Sequence, residues 1–427
     1  MPGFPLESKS LRELTHDGRL LFLTRMTRLF AYGLISVVLV LYLAALGLGD
    51  TQIGVLLSLT LVGDTVISLW LTTHADRWGR RLMLRVGASL MILAGVVFAV
   101  TKNPLLLLLA ATVGVISPSG NEVGPFLSIE QAALSHVVPS VRRTEVFAWY
   151  ALAGSLSTAL GALAGGVIAQ GLRAWMPPPD SYRAVVLVYA ALGGVLIPMF
   201  SMLSPSVEIP HDAHGSPKQG KRARFGLQHS QRIVFRLSAL FALDAFAGGF
   251  VIQSIVAYWF HVRFAVEPAV LGSIFFGANL FAGISALAAA RVAARFGLIN
   301  TMVFTHVPSN LLLILVPLMP NLPLAITMLL LRFSISQMDV PTRQSYTMAV
   351  VRPEERAAAA GVTGVARTTG ASISPMFAQW MLGSTLLFNG PFILGGSLKI
   401  IYDWLLYRSF RSLKPPEELG NQPAKPA

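Results

Sequence analysis

Cysteine is absent from this chain of 427 residues, and charged residues are scarce. Without a thiol the chain forms no disulfide, no thiolate metal site and no cysteine nucleophile. Charged residues make up 12% of the sequence and hydrophobic residues 54%. A soluble domain of ordinary composition carries about 25% charge. The shortage of charge and the abundance of hydrophobic residues indicate that a lipid bilayer, rather than water, surrounds most of the chain.

The chemical signatures of enzymes are also missing. The sequence contains no P-loop, no spacing typical of metal ligands, and no Ser/His/Asp arrangement that its apolar background would support. We therefore predict no enzymatic activity, no cofactor and no metal ion. ATP is not the expected source of energy.

Long apolar segments take up most of the sequence instead. Each is long enough to cross a hydrocarbon core, which requires about 20 helical residues. Their even number places both chain termini on the same side of the membrane. We predict twelve spans with soft edges at residues 20–46, 51–73, 82–100, 104–134, 145–171, 184–203, 233–260, 268–290, 299–319, 322–349, 358–384 and 390–407.

The positive charges determine the predicted orientation. A net charge of +13 would suggest nucleic-acid binding in a soluble protein. Of the 33 Lys and Arg residues, however, only four lie in the loops of one side: Lys102, Arg173, Arg183 and Arg263. Because basic residues accumulate on the cytoplasmic side, we predict a multi-pass protein of the plasma or inner membrane with both termini cytoplasmic. Nucleic acid is not an expected partner.

A polar interruption divides the spans into two groups of six. Residues 204–231 are rich in Pro, His, Lys and Arg and predict a cytoplasmic linker. The two halves repeat one another, since Ala-Asp-Arg-Trp-Gly at 75–79 recurs as Ala-Ala-Arg-Phe-Gly at 293–297. Such repeats are typical of transporters. We predict an N-terminal bundle over 1–203, a C-terminal bundle over 232–410 and a disordered tail over 411–427.

The charged turn between spans two and three carries the most specific motif. It reads Asp76-Arg77-Trp-Gly79-Arg80-Arg81, with Leu84 three positions later. This turn resembles the signature loop of the major facilitator superfamily. The resemblance implies an all-α integral membrane fold of twelve helices in two pseudo-symmetric six-helix bundles. We expect Gly79 to permit the turn, and Asp76 to face a helix N-terminus and brace the cytoplasmic side against span eleven.

Span five contains a second, weaker motif. Gly161-Ala162-Leu-Ala-Gly165-Gly166 is similar to the Gly-Pro-x-x-Gly-Gly motif of the superfamily's antiporters, with Ala162 in place of proline. Small residues would let this helix approach a neighbour closely. The motif therefore favours export, although close packing alone is an equally good interpretation.

Ionisable side chains within the spans are candidates for binding, because a charge inside a bilayer is expensive. The candidates for substrate or proton binding are Asp64 in span two, Asn121 and Glu122 in span four, Asp244 in span seven, and Arg332 and Asp339 in span ten. Glu122 is our leading proton site, because Pro and Gly residues break span four around it. Asp244 is predicted to be a lone carboxyl group, and burial favours the neutral form of such a group.

The remaining embedded charges are predicted to have gating or structural roles. We expect Glu130 to pair with an arginine of the charged turn, Arg343 to belong to a gate, and Arg367 to lie on a polar face of span eleven. Lys399 and Asp403 are expected to neutralise each other, and His306 to be an ordinary satisfied polar residue. Embedded acids and bases number six each. Charge counting therefore does not choose between a cationic and an anionic substrate.

The sequence as a whole predicts a secondary active transporter of a small organic solute. Proton-coupled efflux by alternating access is the preferred mode. Proton-coupled uptake of a solute such as a sugar or an organic anion is the alternative, and a membrane receptor with a transporter fold is the rival from another class. The expected partners are the solute, protons and the lipid bilayer, and the expected functional unit is a monomer.

Overall fold

The computed structural model describes residues 14–121, 126–138, 143–208, 227, 229–352 and 355–413. Within these residues the secondary structure is helical and no strand occurs, which confirms the all-α class. Several predictions lie outside the described residues. They concern Glu122, most of the linker, the tail beyond residue 413 and the side chain of Asp76.

Fifteen α-helices occupy the described ranges. They are α1 His16–Ala45, α2 Asp50–Trp78, α3 Arg80–Val100, α4 Pro104–Val113, α5 Phe126–Val137, α6 Arg143–Leu172, α7 Pro178–Ser201, α8 Gln231–Gly249, α9 Gln253–Phe264, α10 Pro268–Phe296, α11 Leu298–Leu315, α12 Leu322–Ser336, α13 Asp339–Ala349, α14 Arg356–Leu382 and α15 Gly390–Phe410.

Three predicted spans consist of two helices each. Span four ends its first helix at Val113 and resumes at Phe126, which confirms the predicted break. Span seven is interrupted after the Gly248-Gly249 pair, and span ten at residues 337–338. Pro341 explains the last break, because it has no N–H to donate to the carbonyl group of residue 337.

Among the described residues, eight stretches are long and apolar enough to cross a membrane. They correspond to the predicted spans one to three and five to nine, and α8 and α9 together form one of them. The other four predicted spans are the interrupted pairs α4/α5 and α12/α13, and the helices α14 and α15. These two helices have 27 and 21 residues, and they contain Arg367, Lys399 and Asp403.

One compact unit comprises Met1–Gly215 with Ile252–Leu280, taken over its described residues. Inside it α1 packs along α6, and α3 packs along α7. Gly161 of α6 lies so close to α1 that a Cβ atom there would be 2.0 Å from the carbonyl oxygen of Phe30. The close approach expected of span five is therefore present. The same unit includes α9, because Gln253 donates a hydrogen bond to Ser36 of α1 at 2.8 Å.

The other unit comprises Ser216–Val251 with Phe281–Ala427, again over its described residues. Inside it α8 packs along α14, and α11 packs along α15. These pairs are the repeat counterparts of the pairs in the first unit. The repeated turns also match, since Gly79 and Gly297 have φ angles of +102° and +86°, a region that favours glycine. The predicted bundle boundaries differ from this division, because residues 252–280 pack with the first unit.

Candidate functional site

A group of buried charged side chains surrounds Asp244 of α8 in the second unit. Nζ of Lys399 in α15 donates a hydrogen bond to Oδ1 of Asp244 at 2.6 Å, and Nη1 of Arg343 in α13 donates to Oδ2 at 2.9 Å. Arg343 also lies 3.1 Å from Oδ2 of Asp339. These four side chains are at most 9% exposed. We call them the Asp244 network; it connects α8, α13 and α15.

His306 of α11 links this network to another buried acid. Its Nδ1 lies 2.8 Å from Oδ1 of Asp403 in α15, and its Nε2 lies 4.0 Å from Oδ1 of Asp244. Asn310 donates to the second oxygen of Asp403 at 3.1 Å. His306 thus lies between the two carboxylates, hydrogen-bonded to Asp403 and 4.0 Å from Asp244.

Local sequence explains why these helices meet at Asp244. Gly370 of α14 is so close to α8 that a Cβ atom there would lie 2.3 Å from the carbonyl oxygen of Ala242. Gly248, one helical turn after Asp244, lies beside Lys399, whose Nζ would be at the ordinary contact distance of 3.6 Å from a Cβ atom at that position. The break in span ten starts α13 at residue 339, so that two charged residues four positions apart begin the new helix.

Two sequence predictions are wrong at this site. Asp244 is not a lone carboxyl group, because Lys399 and Arg343 reach it from two other helices. Lys399 and Asp403 are not each other's closest ion-pair partners. Although they lie four positions apart on α15, α8 and α11 supply nearer partners in Asp244 and His306.

Arg332 of α12 and Arg367 of α14 lie beside the same network. Each interacts electrostatically with Asp244 and Asp339. Neither makes a hydrogen bond or an ion pair with another described residue, although Arg332 stacks on the ring of Phe333 at 4.9 Å. Both side chains are partly exposed. The structure thus brings together five of the predicted residues: Asp244, Arg332, Asp339, Arg343 and Arg367.

Glu130 of α5 forms a separate buried cluster in the first unit. Arg28 of α1 donates to its two oxygens at 2.7 and 2.9 Å. Thr24 donates at 3.0 Å, and the hydroxyl group of Tyr150 also donates to Glu130. The predicted pairing with an arginine of the charged turn is wrong, because Arg28 meets Glu130 inside the unit. With four donors on one fully buried carboxylate, this cluster is suited to hold α1, α5 and α6 together.

The charged turn at Gly79 is braced by a carboxylate that the sequence pattern did not indicate. Glu208 accepts hydrogen bonds from the backbone N–H groups of Arg80 and Arg81 at 2.6 and 3.1 Å. A negative charge at a helix N-terminus is favourable, and this is the first turn of α3. The Arg81 guanidinium also donates to the carbonyl oxygen of Ser201 at 2.7 Å. The Arg77 side chain is exposed, and the predicted role of Asp76 stays a prediction.

The other predicted binding residues lie in the first unit. Asp64 of α2 is partly exposed and accepts a hydrogen bond from Ser68 at 3.3 Å. Asn121 is exposed in the break after α4, where its carbonyl oxygen accepts from Ser117 at 2.7 Å. No cluster of potential metal ligands was found among the described residues.

Comparisons of the sequence and of the fold with known proteins agree with one another. The sequence profile of the Major Facilitator Superfamily matches residues 21–375. An uncharacterized membrane protein of Saccharomyces cerevisiae, YJR124C, is 32% identical over 419 residues, which are 92% of this chain and 93% of that protein. The quinolone resistance protein NorA of Staphylococcus aureus is 28% identical over 138 residues, 32% of this chain and 34% of NorA. The crystal structure of the nucleoside transporter NupG has a TM-score of 0.70 at 14% identity, covering 93% of this chain and all of that one.

Proposed function

The chain belongs to the major facilitator superfamily and is a secondary transporter rather than an enzyme; we propose that it couples the movement of a small organic solute to protons by alternating access. The Asp244 network supports this proposal. One buried carboxylate there joins three helices through ion pairs whose formation depends on its charge. Asp244, rather than Glu122, is the coupling residue that we propose from the described part of the chain.

Protonation of Asp244 would compete with Lys399 and Arg343 for the same two oxygens. Breaking a buried ion pair from one side costs about 3–5 kcal/mol. Moving a two-state equilibrium from 1:99 to 99:1 takes about 5.5 kcal/mol. Ion pairs of this size are therefore large enough to bias which conformation is favoured, and the same cost opposes protonation of Asp244 while both cations remain bound to it. His306 provides a route for the proton, since it lies between Asp403 and Asp244.

Contacts within the first unit suggest where one gate lies. Arg173, after α6, forms an ion pair with Glu267 at the start of α10, and Gln170 accepts a hydrogen bond from the N–H of Ala269 at 2.9 Å. In the predicted orientation these residues lie on the external side. We propose that they close this side during part of the transport cycle.

Two directions of transport remain as candidates. Export is favoured by the antiporter-like motif at 161–166 and by the partial similarity to a quinolone resistance protein. Uptake is favoured by the charge balance around Asp244, where bases outnumber acids. The two are separated by the direction of the pH gradient that drives solute accumulation.

Purified protein in liposomes tests the proposal. A panel of labelled organic solutes is presented under an imposed pH gradient, and uptake into the lumen is followed in both gradient directions. We expect gradient-driven accumulation of at least one solute, and its loss when a protonophore dissipates the gradient. Binding without any flux across the panel would instead identify a receptor. Flux that is the same with and without the pH gradient would exclude proton coupling.

A further inference from the structure

The ion pairs of the Asp244 network occupy both of its carboxylates. Arg343 lies between Asp339 at 3.1 Å and Asp244 at 2.9 Å, and Lys399 lies 2.6 Å from Asp244. Two acids are therefore matched by two bases. A further base beside this network is in direct contact with none of its described carboxylates. Its positive charge is therefore not neutralised by an ion pair there.

Arg332 and Arg367 are two such bases. They come from different helices, and both interact electrostatically with Asp244 and Asp339. Neither reaches an oxygen atom of a described residue, and the Nε atom of each is buried without a partner. Arg367 is in addition repelled by Arg343. Both side chains are only partly exposed, and a charge inside a membrane-spanning bundle is expensive unless it is offset, so this surplus requires an explanation.

The third buried acid offsets only part of the surplus. Asp403 is held by His306 at 2.8 Å and by Asn310 at 3.1 Å. The titratable and charged groups that surround Asp244 from the neighbouring helices are His306 of α11, Arg332 of α12, Asp339 and Arg343 of α13, Arg367 of α14, and Lys399, Tyr402 and Asp403 of α15. Together with Asp244 these groups contain four bases and three carboxyl groups when His306 is neutral, and one more base when His306 is protonated.

An oxyanion would satisfy both arginines. A guanidinium presents several donors in a planar fork that matches the oxygen atoms of a carboxylate or a phosphate. The side chains of Arg332 and Arg367 are partly exposed, so their donors remain open to a ligand. We propose that Arg332 and Arg367 bind the carboxylate or phosphate group of the transported solute, which is therefore a small organic anion. This inference rests on the proposed transport function and names its substrate class.

The state of Asp244 would then control the strength of this binding. A proton on Asp244 removes one negative charge and releases two cations from their ion pair, so that the surplus positive charge increases. Proton and anion therefore bind together rather than in competition. A cycle driven by protons would carry both in the same direction, which favours uptake along an inward gradient over exchange of a proton for an exported solute.

Equilibrium binding to the purified protein in nanodiscs tests the inference. The probes are radiolabelled benzoate, succinate, citrate and glucose 6-phosphate, with glucose as a neutral probe and tetraphenylphosphonium as a cationic one. We expect binding by an anion only. Arg332→Gln and Arg367→Gln should each weaken it about 10- to 100-fold, as expected for the loss of a charged hydrogen-bond partner. The control Arg408→Gln removes a guanidinium that stacks on Trp404 at the end of α15 and should leave the affinity unchanged.

Thermal unfolding without ligand keeps the test independent of substrate choice. Because Arg332 and Arg367 add unpaired positive charge, each Gln variant should unfold at the wild-type temperature or above it. A fall of several degrees would show a structural ion pair and overturn the inference. Binding of only glucose or tetraphenylphosphonium, or of none of the anions, would also overturn it. Gradient-driven flux of a neutral or cationic solute would in that case leave the proposed transport function intact, whereas absence of all flux would remove both.

Discussion

Replacing Asp244 with asparagine tests whether one carboxylate joins α8 to α13 and α15. The amide keeps the shape of the side chain, but it leaves Lys399 without its counter-ion at 2.6 Å and leaves Arg343 with Asp339 alone. The side chains concerned are at most 9% exposed. Removing one partner of a buried pair costs about 3–5 kcal/mol, because the remaining charge is uncompensated. We expect Asp244→Asn to lower the free energy of unfolding by this amount.

The matched control is Asp180→Asn at an exposed ion pair. Arg183 and Asp180 lie 2.5 Å apart, but their side chains are 32% and 43% exposed. Exposed ion pairs contribute about 0–1 kcal/mol. Chemical unfolding of both variants in the same detergent should therefore separate them by at least about 2 kcal/mol.

A second substitution tests the reasoning behind this number. Changing Lys399 to methionine in the Asp244→Asn background removes the unpaired ammonium group, and it should restore part of the lost stability. The reasoning is refuted if Asp244→Asn is as stable as Asp180→Asn. It is also refuted if the free energy of unfolding of the double variant falls by the sum of the losses measured for Asp244→Asn and Lys399→Met alone.

Three further substitutions test other parts of the structure. Glu208→Gln should lower stability by about 0.5–2 kcal/mol, because the first turn of α3 loses its negative charge; chemical unfolding measures this, and an unchanged midpoint would contradict it. Glu130→Gln should cost about 3–5 kcal/mol, because Arg28 is left buried without its counter-ion; a loss below 1 kcal/mol in the same assay would show that the cluster does not hold its helices. Gly161→Ala should reduce the yield of monodisperse protein, because its Cβ would lie 2.0 Å from the backbone of α1. The control is Gly171→Ala on the same helix, whose Cβ would meet nothing within 4 Å. Equal size-exclusion profiles of the two variants would contradict this packing.

The apolar segments predicted the long helices well. The first predicted span, 20–46, corresponds to His16–Ala45, and the glycine-rich motif of span five lies against α1 as expected. Hydrophobic burial in a membrane depends on composition over about 20 residues, which the sequence displays directly. The break in span ten was not predicted, although Pro341 carries a signal for it, because this residue has no N–H to donate to the carbonyl group of Gln337.

Ion-pair partners were harder to predict than helices. The sequence suggested that Lys399 and Asp403 neutralise each other, since they lie one turn apart. The structure instead pairs Lys399 with Asp244, 155 positions away, and Asp403 with His306. Such choices depend on which helices pack together and on how closely their glycines allow them to approach. A single sequence contains no direct signal of these distances.

Solute-driven proton movement tests the central claim most directly. Proteoliposomes containing a pH-sensitive dye in the lumen are given a transported solute on one side, and the change in internal pH is recorded for the wild type and Asp244→Asn. We predict that the solute changes the internal pH in the wild type, and that Asp244→Asn abolishes this change while solute exchange across the membrane continues. Solute-driven proton movement that is unchanged in Asp244→Asn would contradict the assignment of Asp244 as the coupling residue.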